Sequence, residues 1–285
     1  MNLTSPKVIK EILKQYHLYF NKRLGQNFLI DDNIVNKIVE AGDVHEGDIV
    51  LEIGPGIGTM TKALAEKAFQ VIAIEIDTKF IAVLHQTLKA YDNVEIINAD
   101  VLKLDLKEVF FKEDKVKRPI KVVSNLPYYI TTPIIMRLLE SDLPIERMTF
   151  LIQREVGERL SAVPGTKAYG SLSIVTQFYA QTEVAFFVPA SVFMPKPKVD
   201  SIVVTFQKYI EPQIQITNQK TFFKIVKAAF LNRRKTLINS LNNNTDYSKE
   251  TILIAMQNSD IDSGIRGETL TGKDFARLTN ALERE

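Results

Sequence analysis

The chain has 285 residues, no cysteine and three histidines, and its 36 basic and 34 acidic side chains leave a net charge of +2. This excludes disulfides, thiolate metal sites and a cysteine nucleophile, and the scattered His17, His45 and His85 form no metal-ligand pattern. No apolar run approaches membrane-spanning length and Met1 to Pro6 is not a signal peptide, so a soluble cytoplasmic protein is expected, with one large and one small domain.

Residues 1 to 20 read as a helix carrying Val8, Ile12, Leu13 and Tyr16 near helical spacing. Asp48 to Ile53 reads as a first strand, and Thr59 to Lys67 as a helix with apolar Met60, Ala63, Leu64 and Ala68. Between them stands Gly54-Pro55-Gly56-Ile57-Gly58, a strand-to-helix turn where backbone can approach a ligand closely. The third glycine comes one position early for the dinucleotide fingerprint. Glu52 at the strand end would also repel a diphosphate, whereas it suits a ligand carrying an amine or a sulfonium. Glycines serving only a tight turn are the alternative.

Val71 to Asp77 is a near-continuous apolar run ending in acid, as a buried parallel strand does. Glu75 stands where a carboxylate grips a ribose diol. A third strand, Val94 to Asp100, ends in an acid able to accept a hydrogen bond from an adenine amine. One strand-terminal acid is ordinarily a helix N-cap. Three in consecutive units beside a glycine turn point to a ligand.

Lys121 to Ser124 reads as the end of a buried strand, followed by Asn125-Leu126-Pro127-Tyr128. The carboxyl end of a parallel strand is where open α/β sheets place their chemistry. An amide, a rigid proline turn and an aromatic ring together can hold a flat amino-bearing base. Taken alone, the four residues also read as a strand ending in a turn.

Thr149 to Ile152 is expected to form a fifth strand, Gly170 to Ala180 a helix, and Glu183 to Val188 a sixth strand. Ser201 to Phe206 should join the sixth as an antiparallel edge pair. Beyond about Pro212 apolar residues recur at helical spacing, and Asn242 to Asn244 marks a loop or helix end. The expected division is residues 1 to 210, a ligand-binding catalytic domain, and 211 to 285, a small helical domain. Basic clusters occur at Lys22-Arg23, at Lys115 to Arg118, at Lys196 with Lys198, and at Arg233-Arg234-Lys235. Each can be a solvated face, but the last, between two helical patterns, could grip phosphates.

The order E-x-G-x-G-x-G, I-E-x-D, N-A-D and N-L-P-Y resembles the class I S-adenosylmethionine-dependent methyltransferases, and N-L-P-Y points to adenine amino groups. Leu24 to Asp31, Phe193 to Ser201, Phe230 to Leu237 and Arg266 to Leu270 resemble stretches of the ribosomal RNA adenine dimethyltransferases. The likeness spans nearly the whole chain, with Gly157 standing where the family usually has alanine. It implies a Rossmann-like, mostly parallel sheet followed by an all-helical domain. It implies S-adenosylmethionine as cofactor and N6,N6-dimethylation of two adjacent adenosines near the 3′ end of 16S ribosomal RNA, with a role in small-subunit assembly. The expected partner is that RNA in the assembling 30S particle, with no metal, no membrane and a monomeric enzyme. Two rival functions are a large-subunit methyltransferase conferring antibiotic resistance and a non-catalytic assembly factor.

On this reading Glu52, Gly54 and Gly56 surround the methionine part of the cofactor, and Asn27 and Leu29 close over it. Glu75 holds the ribose, Ile76 packs on the adenine, and Asp100 and Val101 read its edge. Asn125 borders both cofactor and target; its oxygen and the Leu126 carbonyl accept the two hydrogens of the target amine. Pro127 stiffens the turn and Tyr128 stacks on the base. Phe193 stacks on the other side or belongs to the core. Arg233, Arg234, Lys235, Lys196 and Lys198 contact RNA.

Overall fold

A computed structural model describes residues 1–20, 26–111 and 118–284; the Lys22-Arg23 pair, Leu24 and Gly25 of the N-terminal motif, and Lys115 to Lys117 lie outside them. The chain forms two compact units, Met1–Gly157 with Glu183–Lys208, and Glu158–Thr182 with Tyr209–Glu285. The last crossing falls beside the expected boundary, but Glu158–Thr182 belongs to the second unit instead of the first. The reason is apolar: Tyr169, Ile174 and Phe178 are buried in one cluster with Phe222, Ile225 and Phe275.

The first unit contains β1 (Phe28–Leu29), β2 (Ile49–Ile53), β3 (Gln70–Glu75), β4 (Val94–Asn98), β5 (Ile120–Asn125), β6 (Ile145–Gln153), β8 (Phe193–Met194) and β9 (Ser201–Lys208), and most of β7 (Ala180–Val188). Seven of them make one sheet in the order β4-β3-β2-β5-β6-β9-β7. β2 pairs in parallel with β3 and β5, β3 with β4, and β5 with β6, whereas β6 and β9 are antiparallel. Val50, Leu51, Val71, Val122 and Val123 are fully buried, as expected where helices cover both faces of a parallel sheet.

β7 and β9 are neighbours at the edge of the sheet, and β9 is the inner member, between β6 and β7. That position explains its six consecutive buried residues, which blur the alternation of an edge strand.

The strand order reverses between β2 and β5, and such a switch point opens a crevice at the carboxyl ends. The β2–β5 ladder stops at Leu51↔Val122. Above it the buried Ser124 hydroxyl accepts the Ile53 N–H at 2.8 Å, so a side chain replaces the ladder where the crevice begins.

The N-terminal helix is Pro6–Gln15, shorter than expected, and His17 just beyond it has a left-handed φ of 52°. Its Ile9, Ile12 and Leu13 pack with Phe28, Ile57 and Phe80, beside the glycine turn. β1 and β8 pair antiparallel, which carries Phe28 and Leu29 to the crevice.

In the second unit, helices Ser171–Tyr179, Gln219–Leu231, Leu237–Asn244, Lys249–Asn258 and Gly272–Leu282 enclose the core. Asn218, Ser248 and Thr271 cap three of them through their side chains. Asn242 to Asn244 closes a helix, as its composition suggests. Among the described residues no helix is long and apolar enough to cross a membrane.

Candidate active site

One pocket lies where β2, β3, β4 and β5 end. Asn27, Leu29, Glu52, Gly54, Gly56, Glu75, Ile76, Asp100, Val101 and Asn125 all line it, together with Leu126 and Pro127. Gln26, Phe28, Thr59, Met60, Tyr129 and Ile130 also line it and were not singled out from the sequence.

The glycine turn forms part of the lining. Gly54 and Gly56 have φ of 72° and 59°, which side chains rarely tolerate. A Cβ on Gly56 would stand 2.9 Å from Phe28 Cε1, so the turn and β1 fit together only without it.

Three carboxylates line the pocket. Glu52 is buried and its Oε2 has no hydrogen-bond partner among the described residues. Burial pushes its carboxyl up to about 8, with Glu75 adding to the rise; the nearby Thr61 hydroxyl opposes it, although Thr61 Oγ1 completes no hydrogen bond of ordinary geometry. An orphaned buried carboxylate is costly unless a cation joins it.

Glu75 Oε2 accepts the Gly56 N–H at 3.2 Å and Oε1 accepts the Asp77 N–H at 2.8 Å. Burial raises its pKa and these backbone donors hold it back. The two bonds fix the carboxylate while each oxygen keeps a lone pair for a ribose hydroxyl. Asp100 Oδ1 accepts the Leu102 N–H at 3.0 Å, so this acid caps a turn as well as facing the pocket. Ile76 is 46% exposed, an apolar surface open at the same pocket.

Asn125 Nδ2 donates to the Asn27 carbonyl at 3.0 Å. A carbonyl only accepts, so this partner fixes which way the amide is turned and leaves Oδ1 as the remaining acceptor. The Pro127 carbonyl is taken by the Ile130 N–H and the Thr131 hydroxyl. The Leu126 carbonyl accepts no hydrogen bond among the described residues.

Tyr128 does not line this pocket. It is half-buried and its hydroxyl lies 2.8 Å from Ser201 Oγ, at the start of β9. Of the two readings open for Phe193, the core is the one occupied here: pairing with Leu29 across β8 and β1 leaves it 2% exposed, in a core with Leu151 and Val203, and it does not line the pocket. Arg233 is engaged within the protein. Its guanidinium donates to the Lys167 and Tyr169 carbonyls at 3.1 Å each and meets Glu268 at 3.4 Å, so it clamps the second unit internally. Arg234, Lys235, Lys196 and Lys198 are exposed.

The ribosomal RNA adenine dimethylase family model matches residues 17–283. The chain belongs to that family. A ribosomal RNA small subunit methyltransferase A from Alkaliphilus metalliredigens is 49% identical over 98% of this chain and 98% of its own length. A protein of the same name from Enterococcus faecalis is 48% identical over 99% and 97%. Among solved structures, a dimethyladenosine transferase from Plasmodium falciparum is similar with a TM-score of 0.73 and 26% identity, covering 88% of this chain and 95% of its own. The 23S rRNA methyltransferase ErmE is similar with a TM-score of 0.70 and 26% identity, over 90% and 99%.

The enzyme is therefore an S-adenosylmethionine-dependent methyltransferase with the Rossmann-like fold of its class. The pocket fits this cofactor. Three acids and no described basic side chain line it, which disfavours a phosphate ligand and suits a cation joined to a ribose.

Proposed function

We propose that this chain dimethylates the N6 amino groups of two adjacent adenosines near the 3′ end of small-subunit ribosomal RNA, in the assembling subunit. Relatives named for the small-subunit activity match at 45–49% identity over 97–99% of the chain, against 26% for ErmE. We read the enzyme as monomeric, metal-independent and cytoplasmic.

S-adenosylmethionine, when bound, supplies an electrophilic methyl group. Glu52 would meet the cationic methionine part, Glu75 the ribose hydroxyls, and Ile76, Asp100 and Val101 the adenine. Asn27 and Leu29, carried on and beside β1, would cover it. The target amine is a poor nucleophile because its lone pair is delocalised into the purine. Asn125 and Leu126 offer no base strong enough to deprotonate it, so they act as acceptors. The observation that carries this reading is the Asn125–Asn27 bond, which fixes the amide so that Oδ1 remains to accept one amine hydrogen. The Leu126 carbonyl, unengaged among the described residues, accepts the other. Together they draw the nitrogen toward a tetrahedral form and aim its lone pair. Pro127 holds the carbonyl in place, and Tyr128 stacks on the extruded base. The proton leaves to water after transfer.

Mass spectrometry of ribosomal RNA nucleosides from cells with and without the protein tests this. Loss of dimethyladenosine from small-subunit RNA alone is expected; loss from large-subunit RNA, or from neither, rejects the proposal.

A further inference from the structure

Two exposed rings in the first unit carry a guanidinium. Arg118 Cζ lies 3.8 Å from the Phe69 centroid, and Arg154 Cζ lies 4.9 Å from the Phe187 centroid. The rings are 49% and 55% exposed. Phe69 precedes β3 and its N–H bonds the Asp48 carbonyl just before β2, so it sits at the amino ends of the strands, away from the chemistry.

Phe187 is placed differently. Its partner Arg154 directly follows Gln153, the last residue of β6, which pairs with Ser201. The Arg154 N–H donates to the Asp200 carbonyl at 3.1 Å, and Ser201 Oγ meets the Tyr128 hydroxyl at 2.8 Å. The ring is thus connected through Asp200 and Ser201 to the tyrosine proposed to hold the target base. β5 and β7 are separated by β6 and β9, three strand spacings or about 14 Å. Lys198 and Val199, both exposed, stand in the same loop as Asp200.

An unpaired RNA base presents a flat π-face tied to an anionic phosphate. An open aromatic ring beside a guanidinium answers both features. The geometry points to Phe187 and Arg154 as a stacking platform for an unpaired nucleotide flanking the target adenosine, an inference that rests on the RNA substrate proposed above. The platform would hold the strand on one side of the reacting base while Tyr128 holds the base itself. An edge-strand staple, in which the cation only secures β7, is the competing role.

Steady-state methylation of small subunits from cells lacking dimethyladenosine separates the two. Phe187→Ala and Phe187→Leu should raise KM for the subunit roughly five- to hundredfold, the worth of one stacked base. Phe187→Tyr should stay near wild type because the π-face remains. Phe69→Ala, the matched ring at the other end of the sheet, should behave as wild type. Cofactor Kd and Tm should not move in any of them. Phe187→Leu with the wild-type KM, or Phe187→Ala with a lowered Tm and an unchanged KM, overturns the platform. The wild-type protein is the control for the substrate: if it leaves these subunits unmethylated, the proposed function fails together with the platform.

Discussion

The Asn125 amide donates to the Asn27 carbonyl at 3.0 Å, joining the end of β5 to the segment that enters β1. On the proposed mechanism one side chain would both offer an acceptor to the target amine and tie down the stretch that covers the cofactor. Asn125→Ala should lose ~3 kcal/mol of transition-state stabilisation, typical of one preorganised hydrogen-bonding group. Its cofactor affinity should fall only a few-fold, from the lost tether. Asn125→Asp keeps the acceptor but sets a carboxylate against the Asn27 carbonyl, so its cofactor affinity should suffer more. Near-normal turnover by Asn125→Ala would refute polarisation of the amine.

Glu52 should make cofactor binding and stability depend on pH in opposite directions. Burial, reinforced by Glu75, raises its carboxyl from 4.5 to about 8 in the protein without ligand. Between those values the folded state retains a proton that the unfolded chain has released, so stability from this group falls as pH rises through the window. A cationic ligand needs the carboxylate, so cofactor affinity should climb from pH 6 to 8 and then level off. Glu52→Gln should bind weakly with a flat profile and melt higher than wild type at pH 8, the gap closing near pH 5. Calorimetric titration and thermal melts across this range test both, and a flat wild-type affinity profile would mean that Glu52 does not meet a cation.

Glu52, Glu75 and Asp100 were legible because each stands at or just beyond the end of a strand-like run, and the end of a run locates the end of a parallel strand. Asn125 to Pro127 were legible for the same reason. Phe193 was legible only as one of two alternatives, because its burial depends on β8 pairing with β1, a contact between distant segments that no local pattern encodes. Tyr129, 51% exposed at the pocket, was missed beside Tyr128. Which of two successive rings faces a ligand is set by the path of the turn after Pro127, not by residue type. Glu158–Thr182 shows the same limit at domain scale: its helix was readable, but the core it joins was not.

The Tyr128 hydroxyl is engaged by Ser201 at 2.8 Å, so ring and hydroxyl have separable roles. Tyr128→Phe keeps the ring and loses one hydrogen bond, about 1 kcal/mol. Tyr128→Ala should lose ~1–3 kcal/mol of base binding, visible in RNA-dependent kinetics. Cofactor affinity should be unchanged in both, as Tyr128 is not a lining residue. If Tyr128→Phe is as impaired as Tyr128→Ala, the tether to Ser201 and not the π-face is what matters.

The basic cluster should divide by function. Arg233→Ala removes the hydrogen bonds to Lys167 and Tyr169 and the ion pair with Glu268, and should destabilise the second unit by about 1 kcal/mol, moderated by partial exposure. Arg234→Ala with Lys235→Ala should leave Tm alone and flatten the salt dependence of RNA binding. The log-log slope should fall by about 0.7 for each phosphate of single-stranded RNA that is no longer neutralised. An unaltered slope in the double variant would return these two side chains to a solvated helix end.

Gly157 lies in helix Arg154–Leu160. Alanine there should improve helix propensity by up to ~1 kcal/mol. The packing opposes it: a Cβ would stand 2.3 Å from Ile202 Cγ2 and 3.0 Å from Val204 Cγ2, both on the fully buried face of β9. Neither is the end of a long flexible side chain, so helix and strand must move apart. Overpacking of this kind typically costs about 1–3 kcal/mol, which exceeds the propensity gain. Gly157→Ala should therefore lower Tm. Ile202→Ala removes the clashing methyl and leaves a cavity of its own. The double variant should then be more stable than the two single losses added together, with a coupling of roughly 0.5–3 kcal/mol. Additive losses in denaturant melts would show that Gly157 is not fitted to Ile202, and that this part of the sheet yields more readily than its burial implies.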